Sequence, residues 1–294
     1  MRLILTADWH LREDRPRCRK DEDWIKTQEN ALDQVVRICH ERQANLFVVG
    51  DMFHRPGEYR MVRMVQKMAD NLGNQSLYYL AGNHDLKYHS SLNFDTSCIS
   101  LLSSSHNCYK IRDANLLKDA DGIIDAPNFD ERPEDNAKYL FIHVLCFPDM
   151  KSMPPNVNAV CAKDLLEEIP SVKWFFTGDY HVNFHYKWKG RHVVNPGCLL
   201  RQASDMKNYQ SGVYFIDTEK EIVEFIRIID NEELVDDSYI VEEKERDERI
   251  DDFVSKLSET KAVSLDFLDN VEKAMRSNDL DEDVRQMVNE LIGA

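Results

Sequence analysis

Glycine and proline are scarce, ten and nine in 294 residues, which excludes a fibrous or low-complexity chain. No apolar run approaches the length of a membrane span. The opening MRLILTADWHL turns to charge after a short apolar stretch, so it reads as neither a signal peptide nor an anchor. There is no excess of positive charge: 37 Lys and Arg face 53 Asp and Glu, for a net charge of −16. Cysteine shows no pattern either. The seven, at 18, 39, 98, 108, 146, 161 and 198, have no CxxC spacing, which argues against a disulfide framework or a zinc knuckle and for reduced thiols in the cytoplasm.

What is present can bury a sizeable core, since 43% of the chain is hydrophobic. The negative charge is concentrated. Residues 217–294 carry 25 acidic against 10 basic side chains, and residues 1–216 carry 28 against 27. An acidic carboxyl-terminal part repels nucleic acid and membranes alike and favours a protein partner or solubility. It leaves open a phosphodiester substrate bound elsewhere.

Short apolar runs rich in aromatic and β-branched residues recur at 3–8, 46–51, 77–83, 139–143, 173–179, 192–197, 212–217 and 222–229, and read as strands. Helical spacing fills two of the gaps. Ile25, Gln28, Leu32, Val35, Val36 and Cys39 mark one helix within 24–40, and Tyr59, Val62, Val65, Met68, Ala69 and Leu72 a second within 59–72. Alternating strands and helices imply an α/β fold with parallel βαβ units. After residue 139 the strands lack long helices, pointing to a second, more mixed sheet. The expected division is 1–230 for the globular domain and 231–294 for an acidic helical region that could dock a partner. There, Val254, Leu257, Leu265, Leu268, Val271 and Met275 keep an apolar stripe.

Polar residues crowd the strand ends. Asp8 and His10 (ADWH), Asp51 (VGDMFH), Asn83, His84 and Asp85 (GNHD), His143 (FIHV), and Asp179 and His181 (TGDYH) each follow an apolar run. Ligand sites gather beyond the carboxyl ends of strands in such sheets. Carboxylate, imidazole and amide together suit Mn²⁺, Fe²⁺ or Zn²⁺. Two carboxylates, one able to bridge, suit a pair of ions roughly 3.5–4 Å apart that activates water and clamps a phosphoryl group.

The series DxH…GD…GNHD…H…GxH resembles that of the calcineurin-like metallophosphoesterases over about residues 1–230. That resemblance implies a two-sheet α/β/β/α sandwich and two divalent ions, with Mn²⁺ favoured and Mg²⁺ or Fe²⁺ compatible. It implies Asp8, His10 and His181 at the first ion, Asp51 as the bridge, and Asn83, His143 and Asp179 at the second. His84 would orient or protonate the scissile phosphate, and His54 and Asp85 would support the ligands or touch substrate. Asp179 departs from the His usual there, which leaves His185 as an alternative, and His106 is the alternative to His143.

The opening MRLILTADWHL, GDMFHRPGE and NPGCLLRQASD look most like SbcD-type repair exonucleases and the recombination endonuclease subunits of T-even phages. This implies a DNA nuclease partnered by an SMC-like ABC-type ATPase, without a membrane, and compatible with a homodimer. Arg12, Arg15, Arg17, Arg55, Arg60 and Arg201, with Arg19, Lys20 and Arg63 beside them, are the expected contacts to the phosphate backbone. Two other readings stand beside it: a phosphodiesterase or phosphatase for small substrates, and a catalytically weak scaffold on the same fold.

Overall fold

The computed structural model describes residues 1–112, 124–128, 137–236, 250, 271, 275 and 282–292. The chain forms two compact units, Met1–Val235 and Asp236–Ala294. The boundary falls five residues beyond the one drawn from composition. Asp230 is tied into the first unit by Arg19 and Arg201, and the Lys20 amide donates to the Leu234 carbonyl at 2.8 Å.

The first sheet contains β1 (Arg2–Thr6), β2 (Asn45–Val49), β3 (Leu77–Leu80) and β4 (Cys108–Lys110), all parallel. The second contains β5 (Ile124–Asp125), β6 (Tyr139–His143), β9 (Trp174–Gly178), β10 (Phe184–Trp188) and β11 (Arg191–Asn195). A small pair, β7 (Cys146–Phe147) and β8 (Val160–Cys161), stands apart. The chain then returns to the first sheet as β12 (Gly212–Asp217), antiparallel to β1, and β13 (Ile222–Arg227), antiparallel to β12 at the sheet edge.

Helix α1 (Trp24–Arg42) starts where the Asp23 carboxylate accepts the Lys26 amide at 2.9 Å, and it stops at Gln43, whose φ of 47° is left-handed. It buries Gln28, Leu32, Val35, Val36 and Cys39, as its spacing predicts. Helix α2 (Tyr59–Asp70) buries Val62, Val65, Met68 and Ala69, whereas Tyr59 is 55% exposed at its first turn. Helix α3 (Ala162–Glu168), β4, β5, β7, β8 and β10 were not legible in the sequence. Most are two or three residues long, and β10 alternates exposed and half-buried side chains without an apolar run. In the second unit the described helix is α4 (Glu282–Ile292). Val271, Val284 and Val288 are buried together there, with Met275 against them. Val254, Leu257, Leu265 and Leu268 lie outside the described residues.

Strand alternation builds the layers. Ile4, Leu46, Val48 and Tyr79 point to α1 and α2, while Leu3, Leu5, Phe47 and Val49 point to the second sheet. There Phe47 stacks on Phe141 at 5.0 Å, and Phe141 meets Phe176 at 4.5 Å. Beyond the second sheet, Leu140, Phe175 and Val193 pack on Leu165 and Leu166 of α3. The result is the expected α/β/β/α sandwich. No helix among the described residues is long and apolar enough to cross a membrane.

Candidate metal centre

Three of the strands that lead to site residues, β1, β2 and β9, end abruptly. Asp8, His10, Asp51 and Asp179 have φ of 49°, 44°, 50° and 76°, a left-handed conformation that non-glycine residues adopt seldom. Backbone held this way turns the chain back at the strand end and clusters at functional sites, where the surrounding fold has to support it. The glycines beside these residues are there for room. A Cβ on Gly50 would meet His143 Nδ1 at 2.1 Å, and one on Gly82 would meet Asp51 Oδ1 at 2.2 Å. Gly-Asp and Gly-Asn are therefore packing requirements of the site as much as turn signals.

The two sheets meet at His143. On β6 its Nδ1–H donates to the Val49 carbonyl of β2 at 2.9 Å, leaving Nε2 to face inward. Three oxygens surround Nε2: Asn83 Oδ1 at 3.1 Å, Asp51 Oδ2 at 3.4 Å and Asp179 Oδ1 at 3.9 Å. Burial by itself lowers the imidazole's proton affinity, but Asp51, Asp8 and Asp179 outweigh it and hold the pKa up at about 10. A proton on Nε2 is one way to satisfy that crowd of oxygens. A divalent cation is the other, with the nitrogen lone pair as a ligand.

Asp51 Oδ2 is buried without a hydrogen bond and lies between two imidazoles, 3.4 Å from His143 Nε2 and 3.7 Å from His10 Nε2. Its other oxygen accepts the His84 amide at 2.9 Å. Burial raises the Asp51 pKa, and His143, His10 and His84 more than reverse this, so the group stays ionised. On the far side His10 Nε2 faces His181 Nε2 at 3.2 Å. Burial, assisted by His181 and His84 and opposed by Asp51, takes His10 down to about 3, so its lone pair is available. Asp8, fully buried, accepts the Asp179 amide on both oxygens at 3.1 Å. Burial raises its pKa well above the usual range, with Asp51 and Asp179 adding to the effect and His143 opposing it.

Two overlapping ligand groups result. Asp8, His10 and His181 bring one donor atom each within 4.8 Å of one another, and so do Asp8, Asp51 and His143. An unpaired buried carboxylate oxygen between two imidazoles, and two imidazole nitrogens face to face, fit a pair of divalent ions with Asp51 between them. Asp179 stands at the margin, its side chain 34% exposed. Neither alternative enters: His106 is exposed, and His185 Nε2 is bonded to His192 Nδ1 at 3.0 Å.

His84 lies just outside this set. Its Nδ1–H donates to the His54 carbonyl at 3.2 Å, so Nε2 is the nitrogen free to take or give a proton. Its ring stands edge-on to His10 at 5.0 Å and nearly parallel to His54 at 5.9 Å. His10, His54 and His84 also bring a nitrogen each within 4.8 Å of one another. Burial, then Arg12, His84 and Arg55, take His54 down to about 4.

Asp85 is fully buried. It accepts the amides of Phe53 at 2.7 Å, Gly82 at 2.9 Å and Met52 at 3.2 Å, stapling the loops of Asp51 and Asn83 together.

A cavity of about 170 Å³ opens beside the cluster. It is lined by His10, His54, His84, His181 and Arg12 together with the largely apolar Cys198, Leu200, Ala203 and Met206. Gln202 also lines it, its amide donating to the Trp9 carbonyl at 2.7 Å. A second hollow, past His181, is lined by Tyr180, Asp205 and Tyr209. The sequence drew notice to the PGCLLRQASD segment through Arg201, and the structure corrects that choice. Arg201 is 3% exposed, and its guanidinium donates to the Asp230 carbonyl at 2.6 Å, so it meets no solvent-borne phosphate. Arg19 is buried too, bonded to Asp21 and Asp230 at 2.7 and 2.9 Å. Arg15, Arg17, Arg55, Arg60 and Arg63 are exposed, and Arg12 is half-buried at the cavity mouth. Several of these carry acidic partners: Arg12 and Arg55 both pair with Asp14, Arg55 also with Glu58, and Arg60 with Glu13 at 3.8 Å.

Among solved structures, an archaeal phosphodiesterase is similar at 14% identity, with a TM-score of 0.42, covering 78% of this chain and 100% of its own. A dimetal phosphatase from Danio rerio is similar at 12% identity and a TM-score of 0.44, over 73% of this chain and 91% of its own. Vps29 of Entamoeba histolytica, complexed with Zn²⁺, is similar at 10% and 0.37, over 78% and 98%. No curated protein matches the sequence. The model of the calcineurin-like phosphoesterase family matches residues 1–210, and the chain belongs to that family.

Proposed function

We infer that the chain is a metal-dependent DNA nuclease, working as the hydrolytic subunit beside an SMC-like ABC-type ATPase in recombination or repair. The observation that carries the reading is the cavity at His84. It places an imidazole with a free Nε2, an arginine and an apolar wall side by side, as a phosphate bearing an organic group on each ester oxygen requires.

Asp8, His10 and His181 would hold one ion, Asn83, His143 and Asp179 the other, with Asp51 shared. Bound there, such ions supply a water acidic enough to attack at neutral pH and neutralise the phosphoryl oxygens. The rest falls to the chain. The Val49 carbonyl fixes the tautomer of His143, and Asp85 keeps the loops of Asp51 and Asn83 in register. The His54 carbonyl holds the proton on His84 Nδ1, which turns Nε2 toward the scissile phosphate to deliver a proton to the departing oxygen. Arg12, Arg15, Arg17, Arg55 and Arg60 would meet the backbone on either side.

The test is cleavage of DNA by the purified chain with Mn²⁺, alone and with its ATPase, against bis-p-nitrophenyl phosphate, nucleotides and phosphopeptides. DNA cleavage is expected. His84→Ala should lower it by about 10²- to 10⁴-fold while bound metal stays the same. Failure on DNA in every arm ends the nuclease reading. A second reading, hydrolysis of a small phosphodiester or phosphomonoester, is favoured by the ion pairs that neutralise the arginines at the rim. Activity confined to small molecules would select it.

A further inference from the structure

Arg12 follows His10 by two residues and lines the cavity, and Arg55 directly follows His54, another residue of the cavity lining, on the loop after a different strand. Both guanidiniums converge on a single carboxylate, Asp14. The Arg12 backbone and the Arg55 guanidinium are anchored independently of it. Arg12 has its amide and carbonyl bonded to the buried side-chain amide of Gln28, at 3.0 and 2.9 Å, and its Nε is buried without a partner. Arg55 donates through Nε to Glu58 at 2.9 Å, and the Glu58 side chain is only 6% exposed. Among the described residues, the Asp14 side chain meets no other side chain than these two arginines. Asp14 sits on a bend with its side chain 48% exposed.

Two like charges held side by side by separate anchors repel each other unless an anion lies between them. A carboxylate and a phosphate present the same paired oxygens to a guanidinium fork. We propose that Arg12 and Arg55 form a phosphate subsite beside the metal centre, and that Asp14 fills it as a tethered anion until a nucleic-acid phosphate neighbouring the scissile one displaces it. The inference rests on the nucleic-acid reading above. The rim is then neutral at rest and becomes basic only as Asp14 swings out, so substrate entry competes with an internal ion pair.

The experiment is binding without chemistry. Fluorescence anisotropy of a short labelled single-stranded oligonucleotide, in EDTA and low salt, gives Kd for the wild-type chain and for Asp14→Asn. Loss of the competing charge should lower Kd by about two- to fivefold, the scale of an exposed ion pair. The gain should disappear at high salt and on adding Arg55→Ala to Asp14→Asn. If Asp14 merely ties the loop, Asp14→Asn leaves Kd unchanged or raises it, and either result overturns the proposal. Inorganic phosphate is the second probe: a gain for phosphate without one for the oligonucleotide overturns the nucleic-acid assignment. Cleavage is not read here, so an inactive chain that shows the gain counts against the nuclease reading and not against the subsite.

Discussion

Two groups of histidines show what separates a site from packing. In the metal centre, His10, His143 and His181 turn ring nitrogens toward one another and toward carboxylates, on backbone that is left-handed at Asp8, His10 and Asp51. On the second sheet, His192 lies flat on Trp174 at 3.8 Å and His185 is stacked against it at 5.2 Å, both on regular strands. There the rings share one 3.0 Å bond, His192 Nε2 is buried without a hydrogen bond, and the nearest carboxylate, Glu221, is 4.0 Å off and taken by Lys173 and Lys187. Both groups combine buried rings, His10 and His143 in one and His192 in the other, with an exposed one, His181 or His185. The difference lies in where the second nitrogen goes and whether acids share the space.

The sharpest way to test that difference is to remove the shared acid. Asp51→Asn keeps the shape and deletes the charge between two imidazoles, so affinity for Mn²⁺ should fall by at least about a hundredfold in isothermal titration calorimetry. His192→Gln should leave that affinity unchanged. Equal losses in the two variants would erase the distinction drawn here.

Gly82→Ala probes the same corner sterically. The new methyl would sit 2.4 Å from the Asp51 amide nitrogen, and backbone cannot swing aside as a long side chain can. The expected cost is about 1–3 kcal/mol in urea unfolding, with weakened Mn²⁺ binding. Gly57→Ala, where nothing lies within 4 Å, should change neither.

Much of this corner was legible beforehand because chemistry and period coincide in the sequence. Leu3–Thr6, Leu46–Val49 and Leu77–Leu80 are apolar runs long enough to read as strands, and each is followed within a few residues by Asp8, Asp51 or Asn83. The parallel sheet then has to bring those residues to one edge. What was not legible depends on partners distant in sequence. Arg201 looked like a surface cation until Asp230 proved to bury it, and the three amides through which Asp85 supports the ligand loops left no trace in the sequence. The arginines of the rim were legible as charges, but Glu13, Asp14 and Glu58 were not legible as their neutralisers. Ion pairing across 41 residues, as between Arg55 and Asp14, leaves no period to read.

The mildest prediction concerns the packed histidines. Burial, then His185 and Lys187, with Glu221 opposing, take the 1%-exposed His192 down from 6.5 to about 4. As pH falls below 6.5 the unfolded chain takes up this proton, and the folded chain does not until about pH 4. The unfolded state therefore binds more protons in that window. This contribution to stability is full above about pH 6.5 and is lost as pH drops toward 4. Between pH 7 and 5 it amounts to about 2 kcal/mol. Urea unfolding in EDTA at the two pH values should show His192→Gln with a shallower pH dependence than wild type by about that amount, since both chains share every other titrating group. An unchanged slope would mean that the ring on Trp174 is already charged in the folded state, and the contrast between the two histidine groups would lose its electrostatic half.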